Sequence, residues 1–157
     1  DLGTGSGCIA IEISKLFESA TILGSDVCEK ALKVAKKNNN QSNNKVNFIK
    51  SNWFSDIEGQ FDLIVSNPPY IPEGTKLEAS TLFEPKVALF SEETGLKDLK
   101  KIISEAINYL KINGALILEH GMGQSSELSS YMKKIGYKNI GTLNDLKDIN
   151  RFVYGYK

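Results

Sequence analysis

The sequence predicts an α/β fold built on a mostly parallel sheet, and three observations carry that expectation. Apolar residues recur at helical spacing in some segments and form short strand-like runs in others, and the two patterns alternate along the chain. A glycine-rich stretch, Asp1-Leu2-Gly3-Thr4-Gly5-Ser6-Gly7, leads directly into the first helical pattern. A strand-like run at residues 61–65 ends at Ser66-Asn67-Pro68-Pro69-Tyr70, where two successive prolines force the chain out of the sheet. Ligands of such sheets gather at the carboxyl ends of the strands, so both loops are candidate binding elements.

Taken in order, residues 7–17 place Ile9, Ile13, Leu16 and Phe17 at helical spacing. Residues 21–25 read as a strand ending at Asp26. Residues 29–37 form an amphipathic helix with Ala31, Leu32 and Ala35 inward and the lysines outward. The polar run 38–44 reads as a loop, rich in side chains that bond their own backbone. Residues 46–49 are a further strand. Residues 71–94 hold no clear period and are expected to be an irregular excursion with short helical pieces. The strongest helix covers residues 96–110, with Leu99, Ile102, Ile103, Ala106, Ile107 and Leu110 on one face and Asn113-Gly114 expected to end it. Then come a buried strand at 115–119, a helix at 125–134, a turn at Gly136-Tyr137, and an alternating run at 151–156 that reads as an edge or hairpin strand. No internal repeat or linker interrupts the pattern, so a single domain over residues 1–157 is expected. A glycine loop of this kind normally follows a buried strand. The sequence is therefore expected to be cut just inside its first structural unit, with the first strand truncated.

A chain of 157 residues with 41% hydrophobic and 24% charged side chains can bury a proper core. Its 19 Lys+Arg against 19 Asp+Glu leave no basic excess, which argues against a dedicated nucleic-acid partner. No apolar run is long enough to span a bilayer and no signal-peptide pattern opens the sequence, so a cytoplasmic location and no membrane partner are expected. Cys8 and Cys28 match no metal or redox spacing and read as free thiols, and no metal is expected.

The residues that carry chemistry begin with the glycine loop, where Gly3, Thr4, Gly5, Ser6 and Gly7 let backbone approach a ligand just ahead of a helix amino end. A dinucleotide fingerprint needs a glycine where Cys8 stands. The spacing suits instead a nucleoside without a pyrophosphate, such as S-adenosyl-L-methionine; the alternative is a purely structural tight turn. Asp26 stands about twenty residues beyond the loop, where a carboxylate can accept both ribose hydroxyls, or can cap the helix that follows. In Ser51-Asn52-Trp53-Phe54 the two aromatic residues suit the lining of a pocket for a flat ring, and Asn52 can read an adenine edge with its amide; Trp53 plugging the core from a loop is the other reading.

Asn67-Pro68-Pro69-Tyr70 is the most specific element, with a chance match somewhere in the chain on the order of one in a thousand. An amide nitrogen is a poor nucleophile because its lone pair is delocalised into the carbonyl. Two acceptors holding its two N–H groups would keep that lone pair on nitrogen, and the Asn67 side-chain oxygen and the Pro68 carbonyl can serve. Residues 67 and 68 each precede a proline and are pushed to extended backbone, which frees that carbonyl from helical bonding. Tyr70 offers an aromatic face for a planar group. His120, the single histidine, and Glu119 follow the 115–119 strand. Methyl transfer from a sulfonium needs alignment and a dry site more than a base, so His120 reads as structural or pocket wall ahead of general base, and Glu119 carries the same two readings.

With these residues in view, the sequence resembles the glutamine-N5 methyltransferases of peptide chain release factors, over almost its whole length. The resemblance rests on residues 1–7, Ser51-Asn52-Trp53-Phe54, Ser66-Asn67-Pro68-Pro69-Tyr70-Ile71, Phe83-Glu84-Pro85 followed by Ala88-Leu89, Leu118-Glu119-His120-Gly121 with Gln124, and residues 145–155 with Arg151. Asn-Pro-Pro-Tyr alone is shared with adenine-N6 DNA methyltransferases; the Phe-Glu-Pro and Leu-Glu-His-Gly elements single out the release-factor group. The resemblance implies a class I, Rossmann-like methyltransferase sheet of seven strands, the last antiparallel. It implies that residues 3–7, Asp26, Trp53 and Asn67 hold the cofactor, and that Asn67, Pro68, Pro69 and Tyr70 hold the substrate glutamine of a Gly-Gly-Gln loop. The family's usual acidic residue before the Trp is Asn52 here, and its helical amino-terminal domain is absent from these residues. Two rival readings are an adenine-N6 DNA or RNA methyltransferase, which would want a basic recognition segment, and a nucleotide-binding module without chemistry, which would leave the 67–70 loop without a task.

Overall fold

The computed structural model describes residues 1–41, 46–72, 74–75 and 89–157, so the Phe83-Glu84-Pro85 and Ala88 elements lie outside the described residues. The chain divides into two compact units, Asp1–Gly59 and Gln60–Lys157, and each is built from alternating helices and strands.

In the first unit, α1 (Cys8–Leu16), β1 (Ile22–Asp26), α2 (Glu29–Gln41) and β2 (Val46–Lys50) follow one another. β1 and β2 pair in parallel from Ile22 opposite Val46 to Asp26 opposite Lys50. Leu2 bridges Ser25 in parallel on the other side of β1, where the Ser25 amide donates to the Asp1 carbonyl at 2.9 Å and the Thr4 amide to the Ser25 carbonyl at 2.8 Å. The glycine loop therefore leaves directly from a strand-like pairing. The core gathers Ala10, Ile11, Leu32, Ala35, Val46 and Phe48, with Ile22 packed against it. Expectation and structure differ on the face of α1: Ala10 and Ile11 are buried, whereas Ile9, Leu16 and Phe17 are exposed in part or in large part. The face turned inward is the one carrying Ala10 and Ile11, which join Leu32, Ala35, Val46 and Phe48 in the core. α2 also runs to Gln41, past the loop expected from residue 38, because Asn38 and Asn39 bond to the Ser6 and Val46 carbonyls instead of their own turn.

The second unit carries β3 (Phe61–Ser66), β4 (Ile71–Pro72), β5 (Phe90–Ser91), α3 (Glu92–Gly95), α4 (Lys97–Tyr109), β6 (Leu110–Glu119), α5 (Ser125–Ile135), β7 (Lys138–Asn144) and β8 (Asn150–Tyr156). Its main sheet has the order β3-β6-β8-β7. β3 and β6 are parallel, and β8 runs antiparallel to both β6 and β7, which gives the expected reversal of the last strand. The run expected to be an edge or hairpin strand is a hairpin strand, paired antiparallel with β7, but it lies inside the sheet with Val153 fully buried, and the edge is β7. β7 escaped the sequence reading because its largely exposed residues show no apolar alternation.

α4 buries Leu99, Ile102, Ile103 and Ala106 completely, worth about 1.5–3 kcal/mol for each of the three large side chains. It ends at Tyr109 and not at Asn113-Gly114, because Leu110 is already extended with φ −85° and ψ 138°. Those two residues instead form an irregularity inside β6, where the register against β3 shifts between Phe61 and Leu63. Asn113 has φ +63°, and a Cβ on Gly114 would stand 2.9 Å from the Phe61 carbonyl oxygen, so the bulge needs glycine there. Gly136, at φ +110°, closes α5 in the left-handed conformation expected of the turn. Among the described residues no helix is long and apolar enough to cross a membrane.

Candidate functional site

In the first unit the glycine loop is held by two carboxylates. The Asp1 Oδ2 accepts from the Thr4 hydroxyl and from the Ala10 amide at 3.2 Å, which ties the loop to the first turn of α1. The Asp26 Oδ2 accepts the Gly5 amide at 2.9 Å, and its Oδ1 accepts the Cys28 amide at 2.8 Å. Asp26 thus organises the entry to α2 and braces the glycine loop. Each oxygen of the Asp26 carboxylate retains a second lone pair for an incoming hydroxyl.

Gly3, Gly5 and Gly7 have φ values of +66°, +56° and +84°. A Cβ on Gly7 would meet Phe48, Ala35 and Ile11 at 3.0–3.2 Å, so this glycine is required by core packing. Gly5 is different, because no atom lies within 4 Å of where its Cβ would stand. Its positive φ and open surroundings suit a backbone that a ligand approaches closely. Ser6 is exposed beside it, with its hydroxyl 3.2 Å from the Cys8 thiol.

Trp53 and Phe54 part company. Phe54 is buried in the core, while Trp53 is half-buried with φ +53° and its ring lies 3.5 Å from where a Gly3 Cβ would stand. Only Trp53 lines the glycine loop, so the pairing of both aromatic rings around one pocket does not hold. Ser51 fixes the turn: its hydroxyl donates to the Trp53 carbonyl at 2.8 Å and accepts the Asp56 amide at 3.1 Å. Asn52 is exposed next to it, and its carbonyl receives the Ser55 amide and hydroxyl. The first unit thus brings Gly3, Thr4, Gly5, Ser6, Gly7, Asp26, Asn52 and Trp53 around one loop. Asp1 Oδ1 is buried there without a hydrogen-bond partner among the described residues, an acceptor suited to a cationic or donor group of a ligand. An open glycine backbone, a braced carboxylate, an indole and an unmet acceptor fit an amino-acid nucleoside such as S-adenosyl-L-methionine.

In the second unit, Asn67-Pro68-Pro69-Tyr70 leaves the carboxyl end of β3 as expected. Asn67 is exposed, Pro68 buried, and Pro69 and Tyr70 half-buried. Among the described residues no hydrogen bond occupies the Asn67 side chain or the Pro68 carbonyl. Tyr70 is held at several points. Its hydroxyl donates to Glu119 Oε1 at 3.2 Å, and the Arg151 guanidinium carbon stands 5.8 Å from its ring centroid, within cation–π range. One ring face thus answers to Arg151, which narrows the stacking surface assigned to this residue from sequence.

His120 is fully buried. Its Nδ1 lies 2.8 Å from the Gly121 carbonyl oxygen, which can only accept, so Nδ1 carries the proton. The Nε2 is buried and unpartnered among the described residues. Arg151 links this region to the β7–β8 hairpin, with Nη1 donating to the His120 carbonyl at 3.4 Å and Nε 3.9 Å from Asp145. Asp145, in turn, accepts the Ile149 and Lys147 amides, which, opposed by desolvation and aided by Arg151, hold its carboxyl below the usual range.

Reading the residues one by one gave no role to Gln124 or Arg151. Gln124 sits at the amino end of α5, a position usually read for capping alone, and makes no cap bond; the two carbonyls that accept from its Nε2 come from segments 30 and 54 residues away. Among the described residues no group of three or more His, Cys, Asp or Glu is placed to hold a metal.

A sequence profile of the family described as "Methyltransferase small domain" matches residues 1–84. The release factor glutamine methyltransferase of Buchnera aphidicola subsp. Baizongia pistaciae is 38% identical over 160 residues, covering 100% of this chain and 58% of that protein. The bifunctional methyltransferase of Rickettsia typhi is 41% identical over 159 residues, covering 98% of this chain and 31% of that protein. The chain therefore spans between about a third and just over half of the length of these relatives. Among solved structures, a methyltransferase from Pyrococcus furiosus aligns with a TM-score of 0.75 at 21% identity, over 99% of this chain and 73% of that one. A ribosomal protein L11 methylase from Lactobacillus delbrueckii subsp. bulgaricus aligns with a TM-score of 0.73 at 20% identity, over 100% and 68%. At such identities the likeness is one of fold, and the fold is the Rossmann-like α/β architecture of class I methyltransferases.

Proposed function

The chain belongs to the methyltransferase small domain family, and from that premise we propose that it transfers a methyl group from S-adenosyl-L-methionine to the side-chain amide nitrogen of the Gly-Gly-Gln glutamine in a peptide chain release factor. The observation that carries the reading is the 67–70 loop: an exposed Asn67 side chain and a Pro68 carbonyl unengaged among the described residues, at the carboxyl end of the parallel strand β3. Relatives named as release factor glutamine methyltransferases, 38% and 40% identical to this chain, support the substrate.

The cofactor, when bound, supplies an electrophilic methyl on a sulfonium. Gly3, Thr4, Gly5, Ser6 and Gly7 offer it backbone, Asp26 receives its ribose hydroxyls, and Trp53 and Asn52 meet its adenine. The substrate amide gives its two N–H groups to the Asn67 Oδ1 and the Pro68 carbonyl, with Pro69 and Tyr70 bounding its plane. Held this way, the nitrogen lone pair is directed out of amide resonance. With the methyl transferred, the nitrogen would carry a positive charge and give up one of its two protons to water. Preorganised acceptors aimed at the charge that develops on nitrogen are what lower this barrier.

Under this reading residues 1–157 are a catalytic domain. It acts as a monomer in the cytoplasm, on protein and not on nucleic acid; the even charge balance supports the last point. The test offers full-length protein labelled S-adenosylmethionine with a release factor and adenine-containing DNA side by side. Label in a single release-factor glutamine is expected. Label in DNA and none in protein would replace the proposal with the adenine-N6 reading.

A further inference from the structure

We propose that Gln124 is the positioning residue of the 67–70 loop, a joint at which three separate backbone segments are fastened to one carboxamide. The proposal rests on the reading of that loop as the substrate-amide holder and deepens it. Gln124 Nε2 donates to the Tyr70 carbonyl at 3.1 Å and to the Thr94 carbonyl at 3.2 Å, and Oε1 accepts the Gly121 amide at 2.7 Å. Two carbonyls face the nitrogen and an N–H faces the oxygen, so the amide has one workable orientation and uses both its donors and an acceptor in it. The three partners lie at the end of the substrate loop, at the end of α3, and in the turn between β6 and α5.

The surroundings leave the joint little room. A Cβ on Gly95, at φ +83°, would stand 2.1 Å from the Tyr70 carbonyl oxygen and 2.8 Å from Gln124 Nε2. A Cβ on Gly121 would stand 3.0 Å from Gln124 Oε1 and 3.3 Å from the Tyr70 ring. Thr94 adopts φ +58° to present its carbonyl, an unfavourable conformation for a β-branched residue that the third partner helps to hold. Gln124 touches neither the methyl donor nor the acceptor nitrogen in this scheme. It sets where Tyr70, and the acceptors two and three residues before it, come to rest.

The isosteric Gln124→Glu variant is the sharpest test. It keeps the acceptor for Gly121 but turns a carboxylate toward two carbonyl oxygens; once protonated, it regains one donor. In full-length protein at neutral pH, exchange of the Ile71 amide, which bonds to the Leu89 carbonyl at 2.9 Å, should accelerate roughly tenfold. Turnover on a release factor should fall roughly a hundredfold, the scale of a misplacement near 1 Å, with KM and cofactor affinity within about threefold of wild type. The deficit should shrink as pH falls, a recovery that a merely structural role would not give. Gly95→Ala should produce the same turnover loss without the pH recovery. Normal Ile71 exchange and normal turnover in both Gln124→Ala and Gln124→Glu would overturn the inference. If the wild type transfers no methyl to release factor, the functional reading falls, and the exchange measurement alone still decides whether Gln124 fixes the loop.

Discussion

Replacing Asp26 by alanine removes two hydrogen bonds at once, from the Gly5 amide at 2.9 Å and from the Cys28 amide at 2.8 Å. Bonds to a carboxylate are worth about 1.5–3 kcal/mol when buried, but Asp26 is half-exposed and water takes over part of each. A net loss of about 1 kcal/mol per bond, about 2 kcal/mol in all, is the reasonable charge to stability. For a chain of this size that lowers Tm by roughly 4–8 °C. Loss of the ribose acceptor adds about 1.5–3 kcal/mol to the binding deficit, so the Kd for S-adenosylmethionine and for its demethylated product rises roughly tenfold to over a hundredfold. Asp26→Asn separates the two effects. Its single acceptor oxygen meets one of the two amides while its NH2 confronts the other, so its melting point should fall at least as far while one ribose hydroxyl keeps a partner. Titration calorimetry with both ligands, run beside thermal melts on full-length protein, gives both numbers. A folded Asp26→Ala variant that binds within about threefold of wild type would refute the ribose role and leave Asp26 a brace alone.

Asn67→Ala should lower kcat roughly a hundredfold or more in a folded protein, because the lost acceptor acts on charge that develops in the transition state; steady-state kinetics on a release factor checks it. Tyr70→Phe forfeits the long 3.2 Å bond to Glu119 and should matter little, whereas Tyr70→Ala should raise KM. Gly24→Ala should cost about 1–3 kcal/mol by overpacking, since the new Cβ would stand 2.6 and 2.7 Å from Phe48 ring atoms; a denaturant melt reads it directly. Asp145 has its pKa lowered by the folded turn, chiefly by the Ile149 amide. Its contribution is therefore complete above the unfolded carboxylate value near pH 4 and is lost as pH falls through the lower folded value. Amide signals of residues 147 and 149 followed by NMR should accordingly hold at about pH 5 and broaden or shift only once the pH has fallen below the ordinary carboxylate value.

How much of this was legible in the sequence depends on the range of the interaction responsible. The helices α2, α4 and α5 and the strands β1, β2 and β3 were readable because their burial repeats every few residues. The 67–70 loop was readable because proline chemistry is local. Asn113-Gly114 misled, since the same dipeptide that stops a helix also suits a bulge, and the choice was made by Phe61, some fifty residues earlier. β7 was invisible because an edge strand with exposed side chains writes no pattern. The two carboxylates of the glycine loop illustrate both cases: Asp26 announced itself by spacing, but its bond to Gly5 spans 21 residues and could not be read. Trp53 and Phe54 looked like a pair until the turn built on Ser51 sent them different ways.

The interior position of β8 has a consequence for how the chain is made. β6 pairs with β3 on one side, but its other side is completed only by residues 152–156, which also hold β7 in place. During synthesis, then, Leu116, Ile117 and Leu118 present an open, apolar strand border until some forty further residues have emerged, and β7 has nothing to lie against in the meantime. At about 5–20 residues per second that interval lasts a few seconds, ample time for an exposed border to find another chain. Nascent protein released before residue 150 should therefore be a client of chaperones or an aggregate, even though most of the helices and strands in its second unit have already been made.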